Sequence, residues 1–158
     1  MSKKLGVLAA AIAVAALVVG VAIPAAGSSG QGGKDRTFRV TATVTEVSQI
    51  DLGALGPSLG DEIVFSGKLL RGGQQIGHQG AMCTTVSLQR QEAQCNATYS
   101  FGSGQITAQA VFILGSAAPY DVAITGGTGN YEGAKGEIHV LPATSTNPNG
   151  ILTFHLQD

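Results

Sequence analysis

Residues 37–48 read TFRVTATVTEVS, and apolar and polar side chains alternate along them with a period of two. That period places Phe38, Val40, Ala42 and Val44 on one face and Arg39, Thr41, Thr43 and Thr45 on the other. It belongs to a half-buried strand, because the apolar positions of a helix recur at three and four residues. The same pattern returns downstream. Ile63, Phe65 and Leu69 share a face, Ile106, Ala108, Ala110 and Phe112 share another, and Ile151–Gln157 closes the chain with a further alternating run. Residues 76–88 and 92–101 flank a short polar turn at Gln89–Gln91. No long 3.6-period stripe appears, and glycines are spread throughout, which disfavours helix. About eight short strands separated by turn signals predict an all-β domain, an up-and-down antiparallel barrel or a sandwich. Eight strands can close around an interior wide enough for one small ligand, and closure removes the edge strands.

The N-terminal part differs from this domain. Lys3 and Lys4 precede an almost wholly apolar run, Leu5–Ile23, and Pro24-Ala25-Ala26 follows. A basic start, an apolar centre and a small-residue cleavage zone read as a secretory signal peptide over residues 1–27, with an uncleaved membrane anchor as the rival. Residues 28–36 read as a flexible Gly/Ser linker and 37–158 as the barrel domain. Outside the leader the chain carries seven basic residues against ten acidic ones, with no cationic run. Nucleic acid is therefore not an expected partner, since neutralising phosphates needs clustered Lys and Arg. Cys83 and Cys95 are an even pair in an exported chain, for which a disulfide is expected; two buried thiols are the alternative. They flank the Gln89–Gln91 turn, and in a register that pairs them directly both point to one face. Asn96-Ala97-Thr98 matches a glycosylation sequon, which matters only in a glycosylating host.

The stretch AITGGTGNYEGAKGE, Ala123–Glu137, holds five glycines. It is neither a dinucleotide fingerprint, because the third glycine comes one place late and a strand follows, nor a P-loop, because no Lys-Ser/Thr closes it. It reads as a turn and a bent strand. Few residues remain that could do chemistry. By period two Glu46 continues the inward face of Phe38, Val40 and Val44, and a carboxylate on a core face is a functional candidate. A bulge before Glu46 would instead leave it at a wet rim. Asp61 and Glu62 are adjacent and point to opposite faces of a strand, so they cannot act on one bond. His78, His139 and His155 are scattered, and their spacing calls for no metal or cofactor. No Gly-x-Ser-x-Gly is present, so a hydrolase triad has no support.

Four segments, SLGDEIVFSGKLL (58–70), IGHQGAMC (76–83), ATYSFGSGQITAQ (97–109) and AITGGTGNYEGAKGEIHV (123–140), resemble in order and spacing the allene oxide cyclase family and, more distantly, the plant dirigent proteins. The resemblance implies an eight-stranded antiparallel β-barrel with an apolar central cavity, often assembled as a trimer. In the plant cyclases a first-strand glutamate in the cavity helps open an epoxide and steers a pericyclic ring closure, and EVSQIDLG places Glu46 on it. Ile63 and Cys83 match cavity-lining positions. Gly67 stands where the family has a water-holding asparagine, Phe112 where it has a tyrosine, and Ser48 where it has an asparagine. A cyclase or isomerase is thus expected, acting on a small apolar, polyunsaturated or polyketide-like substrate. Proximity would supply most of the rate, Glu46 the charge, and Ile63, Phe65 and Phe112 the cavity shape. The alternative is a secreted dirigent-like module that binds an apolar ligand without catalysis. A Glu46 facing a cavity favours the first, and a Glu46 at the rim the second.

Overall fold

The computed structural model describes residues 35–157. The expected signal peptide, residues 1–27, and most of the expected linker lie outside the described residues. Arg36 already belongs to the first strand. Eight strands follow in chain order: β1 (Arg36–Ile50), β2 (Glu62–Arg71), β3 (Gln74–Ser87), β4 (Glu92–Phe101), β5 (Gly104–Ile113), β6 (Tyr120–Gly127), β7 (Lys135–Leu141) and β8 (Asn149–Gln157). Each pairs antiparallel with the next, and β8 returns to pair with β1, so the sheet closes into an up-and-down barrel. The helical content among the described residues is a single 3₁₀ turn, Gly129–Tyr131, inside the glycine stretch. Gly136, at the bend of that stretch into β7, adopts a φ of +121°, and a side chain there would collide with the carbonyl oxygen of His155. Glycine alone meets both demands.

The alternation read from the sequence sorts the barrel correctly over most of its length. Val40, Leu69, Ile106, Ile138 and Phe154 point inward and are fully buried. They fill the end of the barrel where β1 begins. There Phe38 stacks on Phe154 with ring centroids 4.6 Å apart, and Phe101 and Tyr131 meet Phe38 and each other at 5.5–6.4 Å. The Arg36 guanidinium lies 4.9 Å from the Tyr131 ring centroid, and that of Arg71 5.6 Å from Phe38. An aromatic plug capped by two cations closes this end, each pair adding about 0.5–1.5 kcal/mol to the burial of the rings.

Four register shifts interrupt the ladders, at Val44/Glu46, Leu69/Leu70, Thr85/Ser87 and Thr107/Ala108. Such bulges add local twist, which helps a small sheet close. The first of them decides the fate of Glu46.

Cys83 and Cys95 are direct cross-strand partners on β3 and β4, joined by a disulfide across a Cα–Cα distance of 4.0 Å. The bridge closes a loop with a sequence separation of 12. Replacing both cysteines with alanine is expected to lower the unfolding free energy by about 2–4 kcal/mol, mostly by freeing the unfolded chain. Urea denaturation of the double variant beside the wild type measures the difference.

Candidate functional site

The plug fills one end of the barrel; the other half is hollow. The cause is a row of small residues. Phe65 on β2 stands opposite Ala81 on β3, Ala81 opposite Ala97 on β4, and Ala97 opposite Ala108 on β5. In the next row towards the mouth, the Cys83–Cys95 bridge is followed by Ala110. An eight-stranded barrel of this kind is filled when large side chains meet at its axis. Here three adjacent strands contribute methyl groups, and space remains. It forms two adjoining lobes of about 260 and 190 Å³. Both share Phe65, Ala81, Ala97, Tyr99, Tyr120 and Pro142 as walls. Phe112 and Ser116 line the larger lobe, and Gln79 and the loop residues Ala143 and Pro148 the smaller. Among the described residues no Asp, Glu, Lys, Arg or His lines either lobe.

The sequence-derived candidates divide. Phe65, Cys83 and Phe112 line the cavity, and Phe112 stacks on Tyr120 with centroids 6.0 Å apart. Gly67 is buried at the close approach of β2 to β1, where a side chain would strike the Thr43 carbonyl oxygen. It stands directly opposite Gln79, whose amide nitrogen lies 3.2 Å from where a Gly67 Cβ would be. Ile63 shares the inward register with Cys83 but lies beyond the cavity, lining a hollow beneath the β1–β2 loop with Gln49 and Ile50.

Glu46 and Ser48 lie apart from these candidates. Val44 pairs with Gly67, but the next pair is Glu46 with Ser66, so Thr45 is the extra residue of a bulge. One extra residue reverses the parity of everything after it. Val47 therefore takes the inward register opposite Phe65, and Glu46 and Ser48 pair with Ser66 and Val64 on the outer face. Glu46 is exposed and accepts a hydrogen bond from the Ser66 hydroxyl at 2.9 Å. It does not reach the cavity.

The other polar candidates serve the architecture. Asp61 accepts hydrogen bonds from the Leu52 and Ser58 amides and the Ser58 hydroxyl, at 2.7–3.0 Å. These bonds, the Leu52 amide first, hold its carboxyl below the usual carboxylate range. They tie the β1–β2 loop back onto the start of β2. His139 meets Asp121 at 2.7 Å and His155 meets Thr37 at 3.2 Å, both on the outside of the barrel. Among the described residues no group of His, Cys, Asp and Glu is placed to hold a metal ion.

Three cavity groups went unnoticed in the sequence. Gln79 and Tyr99 are direct cross-strand partners and are 7% and 5% exposed. Tyr120 enters from the start of β6. Burial pushes the Tyr99 phenol well above its ordinary value, with the nearby Tyr120 adding to the shift, and burial likewise raises Tyr120. Both stay neutral hydrogen-bond donors at every physiological pH.

The family model described as "Allene oxide cyclase barrel like domain" matches residues 41–150. No curated protein matches the chain. Among solved structures, a pyocyanin demethylase is similar at 30% identity and a TM-score of 0.67, covering 77% of this chain and 100% of its own. A pterocarpan synthase dirigent protein is similar at 16% identity and a TM-score of 0.59, over 78% of this chain and 88% of its own. The Diels-Alderase AbmU from Streptomyces koyangensis is similar at 15% identity and a TM-score of 0.58, over 78% of this chain and 68% of its own. The last two likenesses are of fold.

Proposed function

The chain belongs to the allene oxide cyclase barrel-like family, and from that premise we propose that it is an exported barrel that encloses a small, neutral, largely apolar ligand and holds it in one conformation. The ligand class is polyunsaturated, polyketide-like or aromatic. The observation that carries this reading is the alanine-walled cavity, closed below by the aromatic plug and lined by no charged side chain. Such a site rewards apolar burial, and it disfavours a charged ligand, which would lose its hydration without a partner.

Holding a flexible substrate in a reactive conformer can by itself steer a ring closure or a coupling, because restricted freedom removes much of the entropic barrier. The fold neighbours include a dirigent protein and a Diels-Alderase, and the relative at 30% identity is named for acting on pyocyanin. Steering by cavity shape is favoured over carboxylate catalysis because Glu46 stands outside, bonded to Ser66. Export is supported by the basic and apolar pattern of residues 1–27 and by the Cys83–Cys95 bridge.

Mass spectrometry of the small molecules carried by the exported protein tests the reading. A stoichiometric apolar compound is expected. A protein that retains none, and takes up no apolar probe, is not a ligand-holding barrel. Glu46→Gln is expected to leave ligand affinity within about twofold of wild type, because an exposed outer-face hydrogen bond contributes little. A titration that shows a tenfold loss would return Glu46 to the site.

A further inference from the structure

Gln79, Tyr99 and Tyr120 stand apart from the rest of the cavity wall. The Tyr99 ring meets Phe154 edge-on at 5.1 Å, and Tyr99 borders both lobes of the hollow. Tyr120 is held by stacking on Phe112. Gln79 occupies space that Gly67, opposite it, leaves unfilled. All three border the smaller lobe. No polar side-chain atom among the described residues is sealed from solvent without a partner. Among the described residues no side-chain hydrogen bond ties down the two phenols or the carboxamide, none of their polar atoms is sealed from solvent, and all three residues border the hollow. A buried polar group that faces a hollow without a protein partner is costly unless something in the hollow satisfies it.

We infer that Gln79, Tyr99 and Tyr120 form a polar recognition site in the cavity for a neutral ligand carrying a carbonyl oxygen, such as a conjugated ketone or a quinone. This rests on the cavity-binding reading above and narrows its ligand class. The chemistry of the three groups makes the choice. Two neutral phenols can each donate a hydrogen bond, and the carboxamide donates through its nitrogen. A carbonyl oxygen has two lone pairs and no proton, so it accepts from two such donors at once. A hydrocarbon would leave all three unsatisfied. A carboxylate or an ammonium would enter a cavity with no counter-charge. The apolar walls supply affinity and the polar groups select orientation, the usual division of labour in small-molecule sites.

The test compares 9-fluorenone with fluorene, two flat molecules that differ by one carbonyl oxygen. Wild type, Tyr99→Phe, Tyr120→Phe and Gln79→Leu are titrated with both, and circular dichroism checks that each variant is folded. Wild type is expected to prefer fluorenone over fluorene by about tenfold, the scale of one or two well-made hydrogen bonds. Each variant is expected to shrink that ratio. The carbonyl stretch of bound fluorenone should move to lower frequency in wild type and recover in the variants. A ratio equal in wild type and all variants, with both probes bound, overturns the polar site and leaves the cavity-binding reading intact. Binding of neither probe overturns both. Tyr120→Phe, at the half-buried mouth, keeps the test decisive if a deeper variant fails to fold.

Discussion

Replacing Ala97 with leucine is expected to abolish uptake of an apolar probe while the barrel stays folded. Ala97 is the middle of the Ala81–Ala97–Ala108 row and borders both lobes of the cavity. A leucine there projects into the space a ligand would fill. If the intruding side chain excludes about 100 Å² of apolar contact, the loss is about 2.5 kcal/mol, or roughly 70-fold in affinity. Stability should move the other way or not at all, because filling an empty apolar space recovers packing that the void forgoes. A well-packed site would behave differently, since extra methylenes there cost about 1–3 kcal/mol. The pair of measurements is therefore informative: fluorene titration for affinity and a thermal melt for stability. Unchanged affinity would mean that the probe sits elsewhere, and a sharply lowered melting temperature that the cavity is not open space.

The hollow and its walls follow from residues that the period of two places correctly. Phe65 is readable on the apolar face of one strand and Ala108, Ala110 and Phe112 on that of another, Cys83 is placed by the family resemblance, and the glycine stretch is readable as a turn and a bent strand rather than a phosphate cradle. A Cys83–Cys95 bridge is readable from the even pair, and the register adds that the two are direct cross-strand partners. Period two fails at Thr45. A bulge inserts one residue without any compositional mark, and the alternating letters continue across it unchanged, so Glu46 looks inward and is not. The bulge follows the Val44–Gly67 pair, beside the point where the Thr43 carbonyl comes too close to Gly67 for a side chain. Ser48 follows Glu46 in the same register, opposite Val64.

The polar groups were missed for a different reason. Counting back by twos from Cys83 through Ala81 reaches Gln79, and counting on from Cys95 through Ala97 reaches Tyr99, so both lie at inward positions. What the letters do not carry is that Gln79 and Tyr99 lie side by side or that Tyr120 borders the same lobe; the closed register supplies that. An amide at an inward strand position was the available signal.

Phe154→Ala is expected to cost about 3–5 kcal/mol, the largest stability effect of any single substitution considered for this barrel. Phe154 is fully buried, stacks on Phe38 at 4.6 Å, and receives the edges of Tyr99 at 5.1 Å and Phe101 at 5.9 Å. Truncating it leaves a void at the centre of the plug that stiff rings on three sides cannot collapse into. Against the roughly 5–15 kcal/mol that holds a small domain folded, this is a large share. Phe154→Leu keeps most of the volume and should cost clearly less, so the two variants separate lost volume from lost aromatic contact. Urea titration measures both, and an unchanged dependence on denaturant would show that the folded and unfolded states are otherwise the same. The cavity should respond as well. Tyr99 rests its ring on Phe154, so a mobile Tyr99 would blunt the preference for fluorenone over fluorene even in Phe154→Leu, where the barrel survives. A cost below about 1.5 kcal/mol for Phe154→Ala would mean that the plug is loosely packed. Tyr99 would then lack the fixed position that recognition of a carbonyl requires.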